Sequence, residues 1–333
     1  MSVTTGVPRV DLGSFPTAVE AAPELGAALG VSELYLKRGD RSGQLYGGNK
    51  VRKLEFLLGA ALDAGCTAVL TGGGVGSNHV LATAAYAREV GLEPRAVQFP
   101  QPVTGYVREN LRSLARFDPD LHLARSQVLF PASLLRARLA TLRRGLSYVP
   151  LGGSSPVGTV GFVRGAQELA RQVDRGVSPR PDVVVVPASS GGTLAGLVVG
   201  LDSTDLDTRV VGVRVAERYA ANRLFVSRLA NRTAALLDLP VTYSRADITL
   251  VDGYLGPGYA EPSRVGERVQ KLAALYGLTL DPTYTAKTVA AIAGEFDDET
   301  VLYWHTLSGH RPEPLSTDEA VRRLPDSYRR FLT

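Results

Sequence analysis

Two rhythms alternate along this chain: short apolar runs and longer stretches in which apolar residues recur with helical spacing, with glycine-rich turns between them. Leu34-Tyr35-Leu36-Lys37-Arg38 alternates as a half-buried strand does. Beyond the turn-rich Gly39-Asp40-Arg41-Ser42-Gly43, the residues Val51, Leu54, Phe56, Leu58 and Ala61 follow a mainly helical period. Ala68-Val69-Leu70-Thr71 reads as a buried strand, and an alanine-rich helix follows the next glycines through Val90. The spacing predicts an amphipathic helix over Val160 to Val173, then a fully buried strand at Asp182-Val183-Val184-Val185-Val186. Val210 to Val215 reads as a strand, Glu217 to Leu239 as largely helical, and Val301 to Thr306 as a final strand. Val19 to Leu29 reads as a short helix.

Strands separated by helices, with glycines at the strand-to-helix turns, argue for α/β architecture. The 333 residues suffice for one large or two ordinary domains. No apolar run approaches membrane-spanning length, and Met1 to Val10 lacks the charged start and apolar core of a secretory signal, so a cytoplasmic protein without a membrane partner is expected. The single cysteine, Cys66, excludes an internal disulfide and any multi-cysteine metal site. The net charge of +4 comes from arginines scattered through helical segments rather than gathered in a stripe, which argues against a nucleic-acid partner.

Three glycine turns carry candidate chemistry. In Gly47-Gly48-Asn49-Lys50 a lysine stands at the mouth of a helix, where the positive end of the helix dipole and neighbouring Arg52 and Lys53 disfavour an ammonium. A neutral amine between close-approaching glycines suits a Schiff base with a planar aldehyde, although a solvated lysine in a flexible turn is the commoner arrangement for four such residues. Gly72-Gly73-Gly74-Val75-Gly76-Ser77-Asn78-His79 joins strand to helix and reads equally as a carboxylate-sized anion loop or a packing turn capped by Ser77. Pro187-Ala188-Ser189-Ser190-Gly191-Gly192-Thr193 follows the buried strand and gathers backbone donors and hydroxyls at a helix start. No lysine follows as a triphosphate loop would demand, so a single phosphate fits best, against the alternative of a simple cap. Together with tyrosines on glycine loops, these features share one economical explanation, pyridoxal 5'-phosphate acting on an amino acid.

The decamer Tyr46-Gly47-Gly48-Asn49-Lys50-Val51-Arg52-Lys53-Leu54-Glu55 resembles the lysine motif of the fold-type II pyridoxal phosphate family that contains 1-aminocyclopropane-1-carboxylate deaminase and D-cysteine desulfhydrase, and the likeness runs from Phe15-Pro16-Thr17 to His305-Thr306. The resemblance implies a tryptophan synthase β-like α/β fold of two open, twisted, mostly parallel sheets with flanking helices, divided into a large cofactor-binding domain, 1–47 with 161–333, and a small domain, 48–160. It implies a homodimer. It makes Lys50 the Schiff-base lysine and mover of the α-proton, flanked by Asn49. Ser77, Asn78 and His79 fall on the loop that binds the substrate carboxylate and touches the cofactor's phenolic oxygen, with Asn78 among the cofactor-binding residues. Ser189, Ser190, Gly191, Gly192 and Thr193 fall on the phosphate loop, Tyr259 and Tyr284 on the substrate side, and Thr285 opposite the pyridine nitrogen. No metal is implied.

The deaminases of this family resemble one another in a glutamine after Ser-Asn and a glutamate after the second tyrosine, where this chain has His79 and Thr285. That favours β-elimination from a cysteine-like amino acid, releasing a keto acid, ammonia and sulfide or thiol. The usual His-Thr-Gly-Gly and Pro-Val-Tyr-Thr-Gly-Lys stand altered as His305-Thr306-Leu307-Ser308-Gly309 and Pro282-Thr283-Tyr284-Thr285-Ala286-Lys287. Cyclopropane ring opening, β-replacement in specialised metabolism and non-catalytic ligand binding stay open as alternatives.

Overall fold

Val183 to Val186 have no exposed surface, and the strand they build lies inside the larger of two sheets. The computed structural model describes residues 3–4, 6–141, 145–259 and 261–332, the side chains of 140 and 141 excepted. In chain order the elements are β1 Val19–Ala21, α1 Pro23–Leu29, β2 Glu33–Lys37, α2 Asn49–Asp63, β3 Ala68–Gly74, α3 Asn78–Glu89, β4 Glu93–Phe99, α4 Gly105–Leu114, β5 Asp120–Leu123, α5 Phe130–Thr141 and β6 Leu146–Tyr148. Then come α6 Pro156–Asp174, β7 Val183–Ala188, α7 Gly192–Asp202, β8 Arg209–Arg214, α8 Arg223–Leu236, β9 Thr249–Val251, α9 Arg264–Leu275, α10 Thr285–Glu295, β10 Thr300–Trp304 and α11 Thr317–Arg323.

A six-stranded sheet runs in the order β1-β2-β10-β7-β8-β9, parallel except for β1. A four-stranded sheet runs β5-β4-β3-β6, parallel throughout. The chain is thus α/β with two mostly parallel sheets, as expected, and the carboxyl ends of parallel strands are where such folds place ligands.

Three local expectations change. Val19–Ala21 is not helical but pairs antiparallel with β2, Val19 opposite Lys37, and the helix begins only at Pro23, whose fixed φ suits a first turn. The helix expected over Glu217 to Leu239 is confined to α8, because the Asn222 side chain accepts from Phe225 N at 2.9 Å and starts it there. Conversely α6 begins four residues before Val160, with Pro156 in its first turn and Ser155 Oγ accepting from Gly158 N at 3.2 Å.

The tail crosses over. Ala320, Leu324, Tyr328, Phe331 and Leu332 share one apolar cluster with Val69, Val80 and Leu81 of the smaller sheet and its helix α3. Ser113 Oγ of α4 donates to Pro312 O at 2.8 Å, and Arg112 Nε donates to Leu315 O, so the segment after β10 is strapped to α4.

Candidate active site

The Lys50 turn is wedged between two segments distant in sequence. A Cβ on Gly47 would lie 2.0 Å from Asp40 O, and one on Gly48, at φ +80°, would lie 2.6 Å from Thr306 O, so both positions require glycine. Asn49 N donates to Thr306 O at 3.2 Å, and Gly47 N to Ser308 Oγ at 2.7 Å. Lys50 is the second residue of α2, and its Nζ donates to Asn49 Oδ1 at 2.9 Å, while Asn49 Nδ2 reaches Thr193 Oγ1 at 3.4 Å. Burial lowers the Lys50 amine from its usual value to about 8, and Asp281 pulls it partly back. The cause differs from the expected one: desolvation does the lowering, and Arg52 is turned away into an ion pair with Glu168.

The serine-glycine loop meets α2 and the start of α6. Gly191, at φ +79°, caps α7, and Gly192 N donates to Ser154 Oγ at 3.1 Å. Ser154 Oγ and Ser190 Oγ lie 2.8 Å apart. Lys53, 2% exposed, extends its Nζ to Gly152 O at 3.1 Å and Ser154 Oγ at 3.5 Å. Burial, and then Lys50, hold this amine well below its ordinary value. Sequence reasoning treated Lys53 only as a neighbouring charge. The signal was its spacing, since residues three apart on a helix share a face and Lys53 must therefore point where Lys50 points.

In the first loop, Ser77 caps α3, its Oγ accepting from Val80 N at 3.4 Å. Asn78 Oδ1 accepts from Tyr106 and Asn110 of α4. His79 is 6% exposed, with Nε2 3.0 Å from Thr71 Oγ1. Burial, with Lys50 and Lys53 adding to it, lowers His79 to about 3, so the ring is neutral near pH 7; because the Thr71 hydroxyl donates to Val149 O at 2.9 Å, Nε2 donates the ring's one N–H to Thr71 and Nδ1 is left as an acceptor.

Tyr259 and Tyr284 meet hydroxyl to hydroxyl with rings edge to face, 6.0 Å between centroids. Burial raises both phenols. Tyr284 is held by Asp281, whose Oδ1 accepts from Thr283 N at 2.9 Å and Tyr284 N at 2.7 Å. Lys287 Nζ donates to Gly258 O at 3.0 Å, beside Tyr259. Thr285 has no exposed surface, and its hydroxyl donates to Asp281 Oδ2 at 2.7 Å and accepts from Asp281 N at 2.6 Å.

These residues fit a pyridoxal phosphate. Gly192 packs so closely that a Cβ there would lie 2.5 Å from Ser154 Oγ and 2.9 Å from Lys53 Nζ, which gathers a backbone donor, hydroxyls and a buried amine at one place, the donor set a phosphate needs. A second amine, Lys50, acts electrostatically on both Lys53 and His79.

The sequence profile described as "Pyridoxal-phosphate dependent enzyme" matches residues 10–306, and the chain belongs to that family. Its cofactor is pyridoxal phosphate. A D-cysteine desulfhydrase from Salmonella newport (strain SL254) is 37% identical over 316 residues, covering 91% of this chain and 94% of that protein. The crystal structure of an ACC deaminase homologue superposes with a TM-score of 0.79 at 30% identity, covering 97% of this chain and 98% of that one. The processed form of threonine deaminase isoform 2 from Solanum lycopersicum, 18% identical with a TM-score of 0.62 over 90% of this chain and 80% of that one, shares the fold.

Proposed function

We propose that this enzyme is a pyridoxal-phosphate-dependent lyase of the D-cysteine desulfhydrase type, eliminating the β-substituent of a cysteine-like amino acid to give a keto acid, ammonia and sulfide or thiol. The observation that carries the reading is the Lys50 amine, lowered to about 8, one helical turn from the Lys53, Ser154, Ser190 and Gly192 cradle.

Bound pyridoxal phosphate supplies the electron sink that lets the bond to the α-hydrogen break. Ser189, Ser190, Gly191, Gly192, Thr193 and Lys53 hold the phosphate, with Asn49 bracing Thr193. Lys50 would hold the aldehyde through Nζ and, once free, would take the α-proton. Ser77 and Asn78 bind the substrate carboxylate by hydrogen bonds, while His79, expected beside them, turns its one N–H to Thr71. Tyr259 and Tyr284 stay protonated across the working range, and because one hydroxyl donates to the other, the pair retains one proton that can pass to the departing sulfur. His79 and Thr285, where related deaminases resemble one another in glutamine and glutamate, favour this substrate class over the cyclopropane.

The units that meet at this site are proposed as 1–47 with 161–333 and 48–160, the tail after β10 lying across the second. A cytoplasmic location is proposed, and a homodimer on resemblance alone. The test is a panel of D- and L-amino acids with β-leaving groups, together with 1-aminocyclopropane-1-carboxylate, scored by mass. Pyruvate with sulfide or thiol supports the proposal. 2-Oxobutyrate from the cyclic substrate alone, or keto acid yield suppressed by added thiol in favour of a new β-substituted amino acid, replaces it with deaminase or β-replacement chemistry.

A further inference from the structure

Asn78 presents a question that its own position does not answer: which edge of its amide faces the cofactor. The surrounding hydrogen bonds determine it. Gly76 O can only accept, and Asn110 Nδ2 donates to it at 2.8 Å. That orients the Asn110 amide, whose second N–H on the same Nδ2 reaches Asn78 Oδ1 at 2.9 Å. Tyr106 donates its hydroxyl to the same Oδ1 at 2.6 Å. With two donors on its oxygen, Asn78 turns its NH2 away from α4, and this Nδ2 has no partner among the described residues. A reversed amide would set Asn78 N–H against Asn110 N–H, which costs hydrogen bonds beside Asn110, a residue only 2% exposed. Two further contacts hold the donors in place: Arg311 lies 4.6 Å over the Tyr106 ring, and α4 packs so tightly on the loop that a Cβ on Gly76 would lie 2.9 Å from the Val107 Cα.

We propose that Asn110 and Tyr106 are positioning residues that lock the Asn78 amide with its N–H edge toward the cofactor, so that the phenolic oxygen meets a donor and not an acceptor. This rests on the cofactor reading above. α4 contributes no atom to the reaction; it decides the orientation of a residue that does.

The experiment uses the holoenzyme of Tyr106→Phe, Asn110→Leu and Asn78→Ala, and of the two doubles that combine Asn78→Ala with each of the others. It reads the wavelength of the visible cofactor band, the dissociation constant for added pyridoxal phosphate and kcat. Each α4 variant is expected to move the band and weaken cofactor binding about three- to tenfold, and to change nothing further once Asn78 is alanine. Equal losses with and without Asn78 would overturn the proposal, because an effect on folding or packing adds independently of the side chain at 78. Where Asn110→Leu fails to fold, Tyr106→Phe, which removes one hydroxyl, decides alone. A wild type with no visible band defeats the cofactor reading and this inference together; a normal band with additive losses defeats this inference only.

Discussion

Lys53 and Gly192 face each other so closely that a Cβ on the glycine would lie 2.9 Å from the lysine Nζ. Gly192→Ala must push Ser154 aside, its Oγ lying 2.5 Å and its Cα 3.1 Å from the added carbon, and should lower the melting temperature and bind pyridoxal phosphate at least about tenfold more weakly. Equilibrium dialysis of the apoenzyme against cofactor, beside its thermal melt, measures both effects.

Without its anionic partner Lys53 is a buried amine whose pKa is lowered by burial and then by Lys50. A base whose folded pKa is depressed binds fewer protons folded than unfolded, so this residue destabilises the apoenzyme at low and neutral pH, and the penalty fades as pH approaches the unfolded value of about 10.4. Lys53→Met should be more stable than wild type as apoprotein at pH 7, with the gap closing toward pH 10, and should lose cofactor affinity. Apoenzyme melts across that range give the sign.

The Lys50 amine titrates at about 8. In the apoenzyme its rate of modification by an amine-selective reagent should rise through pH 8, about two units below an exposed lysine. Peptide mapping by mass spectrometry follows it. After borohydride reduction of the holoenzyme, the cofactor mass should sit on the peptide containing Lys50 and be absent in Lys50→Ala.

Glu168 holds two cations at once, Lys37 Nζ at 2.6 Å and Arg52 at 2.8 Å, all three buried. Burial pushes the carboxyl up, but Arg52 and Lys37 outweigh it and leave it at about 2. An acid with a depressed folded pKa contributes stability above its unfolded value, and that contribution drains away as pH falls from about 4.3 to about 2. Glu168→Gln leaves two buried cations uncompensated and should cost about 3–5 kcal/mol at pH 7, read from urea melts, with the loss vanishing below the folded pKa.

Tyr259 and Tyr284 share one hydrogen bond and act as a unit. Either phenylalanine substitution should lower kcat by about a hundredfold with cofactor affinity unchanged, and the double variant should be little worse than either single one. Losses that multiply would assign the two hydroxyls separate tasks.

The amino-acid order determined what local periodicity and turn chemistry can determine. Strand and helix alternation, Lys50 at the mouth of α2, and the Ser189 to Thr193 turn at the start of α7 were legible because each depends on residues within one or two turns of one another. The boundaries that moved did so for local reasons too, Asn222 capping α8 and Pro23 opening α1. Tertiary structure alone decided the pairings across the chain. It brought Lys53 to Gly192, turned Arg52 onto Glu168 and away from Lys50, engaged the Thr285 hydroxyl in the cap of its own helix, laid the tail on the smaller sheet, and set Asn110 behind Asn78. A hydrophobic period shows that a face is buried but not what it is buried against, and a charge or an amide has its direction chosen only when the partner arrives from another part of the fold.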